Sequence, residues 1–164
     1  MPSGRGGRGR APRCRRLPPG RDPLTFDPPS ARIVVPFPVP ADRAFDYLAD
    51  PRHRPAWQSS LRAVADVRPD DTAWTDVTVV PGIRPRMRTT VSERPHRWGE
   101  EGRCGPFRAR LDLVFAADPA AAGRSVVTAA FAVRGLGLGP VLTRAARRAV
   151  AADLRRAARA LGGD

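Results

Sequence analysis

Apolar and polar positions along this chain follow two periods, and the switch between them marks out the elements. Residues 33–37 form a short apolar run bounded by proline, read as a first strand. Over residues 43–49 the spacing becomes helical, with Ala44, Phe45 and Leu48 on one face. Pro40 presets the chain there, and Asp42 is the expected N-terminal cap. Asp50-Pro51 closes that helix, and Pro51 and Pro55 limit the next segment to a short, kinked helix that delivers Trp57. After Leu61 the period drops to two. Strands are predicted over residues 61–68, 73–80, 86–93, 97–103, 107–115 and 125–133, divided by turns rich in Pro, Gly and Asp. The cleanest alternation sets Phe107, Ala109, Leu111, Leu113 and Phe115 against Arg108, Arg110 and Asp112. In the 86–93 strand, Met87, Thr89 and Val91 are expected on one face and Arg86, Arg88 and Thr90 on the other. Connections this short make the strands antiparallel.

A glycine-rich hinge at 135–139 leads into the last element, a helix predicted over residues 138–161, about 36 Å long at 1.5 Å per residue. Leu138, Val141, Leu142, Ala145, Val150, Leu154 and Leu161 are expected to form its apolar stripe, with Arg144, Arg147, Arg148, Arg155 and Arg159 mainly off it. The glycines of the hinge have no nucleotide-binding fingerprint around them.

Composition changes this picture at one end. Residues 1–30 hold seven Arg, seven Pro and five Gly with almost no apolar periodicity, so they are expected to be a disordered tail, dispensable for folding. One domain is expected over residues 31–162. The net charge is +13, of which the tail contributes +5, and every basic residue is arginine. Arginine favours bidentate contact with phosphate. The abundance of Ala, Gly, Pro and Arg, without Lys or Asn, reads more simply as the bias of a GC-rich bacterial genome. Cys14 and Cys104 make no disulfide framework, and with His53 and His96 they make no zinc spacing, so no metal and no cofactor are expected. No run approaches the ~18 apolar residues of a membrane span. Arg15-Arg16 lacks the apolar stretch of a twin-arginine signal. A cytoplasmic location is expected.

Candidate chemistry is sparse. His53 lies in a charged stretch and His96 in a turn, and both read as surface residues. Glu100 and Glu101 are adjacent in a strand and so point to opposite faces. The tryptophans carry more information. Trp57 either packs the short helices on the sheet or touches a ligand, and Trp98 with the Phe107/Leu111 row is a candidate wall for an apolar cavity.

Taken together, strand one, Pro40 and Phe45, Asp50-Pro51, Trp57 and the terminal helix resemble the START-like superfamily, also called the SRPBCC or polyketide cyclase/dehydrase group. The resemblance covers about residues 31–162. It implies an α+β helix-grip fold: a seven-stranded curved antiparallel sheet wrapped around a long C-terminal helix, with two short helices after strand one. It also implies a cavity between sheet and helix, for which Trp57, Met87, Trp98, Phe107, Ala109, Leu111, Leu142 and Ala146 are the expected ligand-binding residues. None of the superfamily's catalytic positions can be placed residue by residue. The leading expectation is binding or transport of a small hydrophobic molecule, such as a lipid, isoprenoid or polyketide-like compound. A polyketide cyclase or dehydratase is the alternative, favoured if a buried polar group faces the cavity. A basic accessory protein that binds nucleic acid through the tail and the outer arginines is the third.

Overall fold

In a computed structural model the described residues are 32–137 and 139–163. The tail expected over residues 1–30 lies outside them. The elements run β1 (Ile33–Phe37), α1 (Ala41–Ala49), a 3-10 turn (Pro51–His53), α2 (Arg54–Trp57), β2 (Leu61–Ala65), β3 (Ala73–Thr78), β4 (Arg86–Glu93), β5 (Arg97–Cys104), β6 (Phe107–Ala117), β7 (Ser125–Arg134) and α3 (Gly139–Gly162). The strands form one antiparallel sheet in the order β1-β7-β6-β5-β4-β3-β2. Only β1 is displaced from chain order, because the chain leaves the sheet for α1 and α2 and re-enters at the far edge. α3 packs on β1 and β7. This is the α+β helix-grip arrangement, with two short helices after β1.

Three local expectations need correction. Pro40, not Asp42, occupies the N-cap of α1; Asp42 sits in the first turn, where its carboxylate accepts from the Arg43 N–H at 2.8 Å. Proline is tolerated there because the first helical N–H groups have no partner within the helix. In β4 a bulge falls between Thr89 and Val91, so that Thr89 pairs with Glu100 but Val91 with Gly99. The extra residue flips the alternation and moves Val91 away from the face it shares in sequence with Met87. The third correction concerns α3. Leu154, Ala157 and Ala158 are buried, with Val150, Ala151 and Leu161 partly so, whereas Val141 and Ala145 are exposed. Among the described side chains of the helix, those fully buried lie in its C-terminal half. Asp153 anchors that half, accepting from the Ser59 N–H at 3.0 Å and its hydroxyl at 2.8 Å.

The topology gives the sheet two unlike ends. At one, here the packed end, lie α1, the β2–β3 loop, the β4–β5 turn and the β6–β7 loop. Phe37, Leu48, Leu113, Phe115, Val127 and Leu154 build the core towards it, and the Phe45 and Phe115 rings meet at 5.3 Å. At the other, the open end, lie the β3–β4 loop, the β5–β6 turn and residues 135–137, which follow β7.

Candidate functional site

Towards the open end the inner face of the sheet carries small residues at the register where bulk would be needed to fill it. Gly102 pairs with Met87 on one side and Ala109 on the other. A Cβ at Gly102 would lie 2.5 Å from the Met87 sulfur, so glycine is what lets that side chain lie flat across β5. Beneath this row is a cavity of ≈ 180 Å³ walled by Met87, Phe107, Ala109, Leu111, Phe131 and Leu61. Pockets for drug-sized ligands run about 300–1,000 Å³, so this one takes a compact molecule or one end of a longer one.

Its floor is charged. Arg54, Asp76 and Glu100 line the same cavity and are each nearly inaccessible to solvent. Arg54, the first residue of α2, donates to Glu100 Oε2 at 2.5 Å and to Asp76 Oδ2 at 3.1 Å. The guanidinium lies 5.3 Å from the centre of the Trp74 ring and 5.8 Å from that of Trp57, a cation–π setting for a charge taken out of water. Trp74 Nε1 donates to Asp76 Oδ1 at 2.9 Å and fixes that carboxylate. Desolvation alone would lower the Arg54 pKa, but Glu100 and Asp76 outweigh it, and the arginine is held more firmly protonated than usual. Burial pushes the Glu100 carboxyl up to about 7, against the pull of Arg54 and with the help of Asp76. The physical reason is desolvation: a carboxylate carried out of water loses its hydration, and the nearby guanidinium makes up only part of that loss. Two further polar atoms of lining residues, Arg54 Nε and Gln58 Oε1, are buried without a hydrogen-bond partner among the described residues.

The structure brings Met87, Phe107, Ala109 and Leu111 together around one cavity. Trp57 is buried beside it, against Arg54, and is not among its lining residues. Trp98 stacks on Trp74 at 6.4 Å and borders a different, shallower depression of ≈ 290 Å³ at the packed end, with Phe45, Asp46, Asp50, Asp70 and Asp71. Ala146 is half-buried in α3 and does not line the cavity; the side chain of Leu142 lies outside the described set. α2 and the segment after it also line the cavity, through Arg54, Gln58 and Ser60. Sequence reasoning missed Arg54, Asp76 and Glu100. Arg54 sits in a run of charged residues that reads as surface, and Glu100 is one of two adjacent acids. The available signal was the pair of tryptophans, Trp57 and Trp74, large rings near charges in otherwise polar stretches. His53 and His96 are exposed, His53 stacking on Tyr47 at 4.7 Å. No group of three or more His, Cys, Asp or Glu among the described residues is placed to hold a metal ion. No helix among them is long and apolar enough to cross a membrane.

A curved sheet gripping a terminal helix over a partly apolar cavity defines a class of small-molecule-binding domains, and comparison with known proteins agrees. Residues 29–162 match the family described as polyketide cyclase/dehydrase and lipid transport, and the chain belongs to that family. Among solved structures it resembles a START superfamily protein from Mycobacterium smegmatis (11% identity, TM-score 0.61, covering 77% of this chain and 91% of that one). It is also similar to XoxI from Bacillus cereus (7%, TM-score 0.66, 79% and 93%). A third likeness is to the di-domain ARO/CYC BexL of the BE-7585A biosynthetic pathway (16%, TM-score 0.62, 79% of this chain and 45% of that one). At these identities the structures support the fold alone. The sequence has no match among functionally curated proteins.

Proposed function

We propose that the protein binds a small, mostly hydrophobic molecule carrying one hydroxyl or carbonyl group, with its apolar body against Met87, Phe107, Ala109 and Leu111 and its oxygen at Arg54 and Glu100. The observation that carries this reading is the charged floor of an otherwise apolar cavity. Apolar walls supply the driving force, and a few fixed polar groups orient the guest. A fluorescence titration with naphthol, set against naphthalene, tests it. Naphthol should bind with saturable one-site stoichiometry and more tightly than naphthalene. Glu100→Gln should remove most of that difference, and Ala109→Trp, which fills the cavity, should abolish binding of both. Equal affinity for the two probes would remove the polar floor from the reading. Binding that survives Ala109→Trp would place the site elsewhere.

A specific observation also favours a second reading, the cyclase or dehydratase. Glu100 holds its proton to near neutrality inside the cavity, the condition for a general acid that acts at ordinary pH. In a dehydration it would give that proton to the departing hydroxyl, so that water leaves as the C–O bond breaks. Arg54 would polarise the adjacent carbonyl, the α-carbon would release its proton to solvent at the cavity mouth, and the C–H electron pair would become the new C=C bond. Glu100→Gln should then stop turnover while the naphthalene affinity stays unchanged.

A further inference from the structure

The exposed large apolar residues of this protein are not scattered. Of the seven among the described residues, five lie at the open end: Val79, Val80 and Ile83 in the β3–β4 loop, Leu136 before α3, and Val141 in its first turn. Leu136 and Val141 are 69% and 68% exposed. The segment holding Leu136 is seated directly on the β5–β6 turn. Gly135, at φ +147°, lies so close that a Cβ there would be 2.8 Å from the Pro106 carbonyl oxygen and the Phe107 ring.

Immediately behind these tips runs a row of arginine. Arg86 of β4 pairs with Arg103 of β5, Arg103 with Arg108 of β6, and Arg108 with Arg134 of β7. Directly opposed residues share a face, and all four are exposed. Neighbouring strands are about 4.8 Å apart, so the row spans roughly 14 Å. Like charges directly opposite one another destabilise a sheet. One turn of the pleat further from the open end the same face reads Arg88, Glu101 and Arg110, and there the charges alternate. Glu101 reaches back to Arg103 at 2.9 Å, but Arg86, Arg108 and Arg134 make no ion pair with a described residue, and neither do Arg84 in the β3–β4 loop or Arg144 in α3. The segments that build the open end, residues 77–86, 102–109 and 131–150, contain no acid at all. Asp42, Asp46, Asp66, Asp70, Asp71, Glu93 and Asp118 all lie at the packed end.

From this polarity we propose that the open end docks on a bilayer surface rich in anionic phospholipid. The apolar tips sink into the headgroup region, the arginine row meets the phosphates, and the cavity, whose lining reaches Thr78, Pro85 and Cys104, faces the bilayer. Burial of loop apolar groups together with attraction to anionic lipid is the physics of reversible interfacial binding. A nucleic acid would satisfy the arginines but offers nothing to Val79, Val80, Ile83 and Leu136, and these tips carry no aromatic ring on which a base could stack. The inference concerns the outside of the molecule and holds whatever the cavity carries.

Sedimentation of the full chain with vesicles tests it. Binding is expected to phosphatidylglycerol–phosphatidylcholine vesicles, not to phosphatidylcholine alone, and should weaken with salt. Val80→Asp with Leu136→Asp, and separately Arg108→Ala with Arg134→Ala, should each lower the affinity about tenfold or more. Arg155→Ala with Arg159→Ala, the same change of net charge on the other half of α3, should leave it close to wild type. Ile83→Trp adds a reporter: Trp57, Trp74 and Trp98 are already buried, so a blue shift on adding anionic vesicles comes from the tip. The proposal is overturned if the wild type ignores anionic vesicles, or if both arginine pairs matter equally, which would make net charge the cause. It is also overturned if the Trp at 83 stays in water, or if the open end captures an acidic carrier protein or RNA while ignoring vesicles.

Discussion

The inner row of β6 passes from one kind of interior to another. At the packed end Phe115 and Leu113 are sealed against Phe45, α1 and the rest of the core, whereas at the open end Phe107 and Ala109 are only half-buried and border the cavity. The same strand, with the same alternation, thus serves stability at one end and binding at the other. α3 repeats the division, with Leu154, Ala157 and Ala158 buried in one half and Val141 and Ala145 exposed in the other. A sheet curled on one helix has room to close fully only where the helix and α1 both lie on it. The residues beyond that contact are free to be small, polar or exposed.

The largest effect is expected where the helix meets the core. Leu154→Asp places an unpartnered charge at a fully buried position and should abolish cooperative unfolding. Val141→Asp, on the same helix, should change stability by no more than about 0.5 kcal/mol. Urea denaturation followed by near-ultraviolet circular dichroism checks both, and a cooperative, native-like Leu154→Asp variant would show that the helix does not seal the packed end.

A smaller contrast is expected along β6. Phe115→Ala should cost about 3–5 kcal/mol, the usual range for emptying a packed aromatic site. Phe107→Ala should cost clearly less, since that ring already borders open volume. Equal costs in denaturant titrations would remove the distinction between the two ends.

The smallest effect belongs to the charged floor and is read through pH. In the folded protein Glu100 keeps its proton to about pH 7, while in the unfolded chain it titrates near its ordinary value of 4.5. Between those values the folded state binds more protons, so this residue's contribution to stability falls as pH rises and levels off above about 7. Glu100→Gln should flatten that part of the stability–pH curve. A wild-type curve that rises through the same window would mean that Arg54 holds the carboxylate ionised.

Much of this architecture was legible without coordinates because alternation and helical spacing are local properties. Met87, Phe107, Ala109 and Leu111 were recognisable as one inward-facing set, since a period of two fixes the face of each residue within its strand. Where a single inserted residue breaks that period the reading failed, as at Val91 beyond the β4 bulge. It failed also for Arg54. No local pattern announces that an arginine among charged neighbours will be drawn beneath the sheet to meet Glu100, 46 residues away.

By itself the sequence determined which segments are strands, which are helices and which faces are apolar, because each depends on neighbours within a few residues. Only the tertiary structure decided what those faces enclose. Register set the small residues Gly102 and Ala109 side by side and opened a cavity. The return of α2 under the sheet carried Arg54 to two acids from different strands. Antiparallel topology gathered apolar tips and a row of arginine at one end and most of the exposed acids at the other. These are relations between residues far apart in the chain, and they exist only once the sheet has closed on its helix.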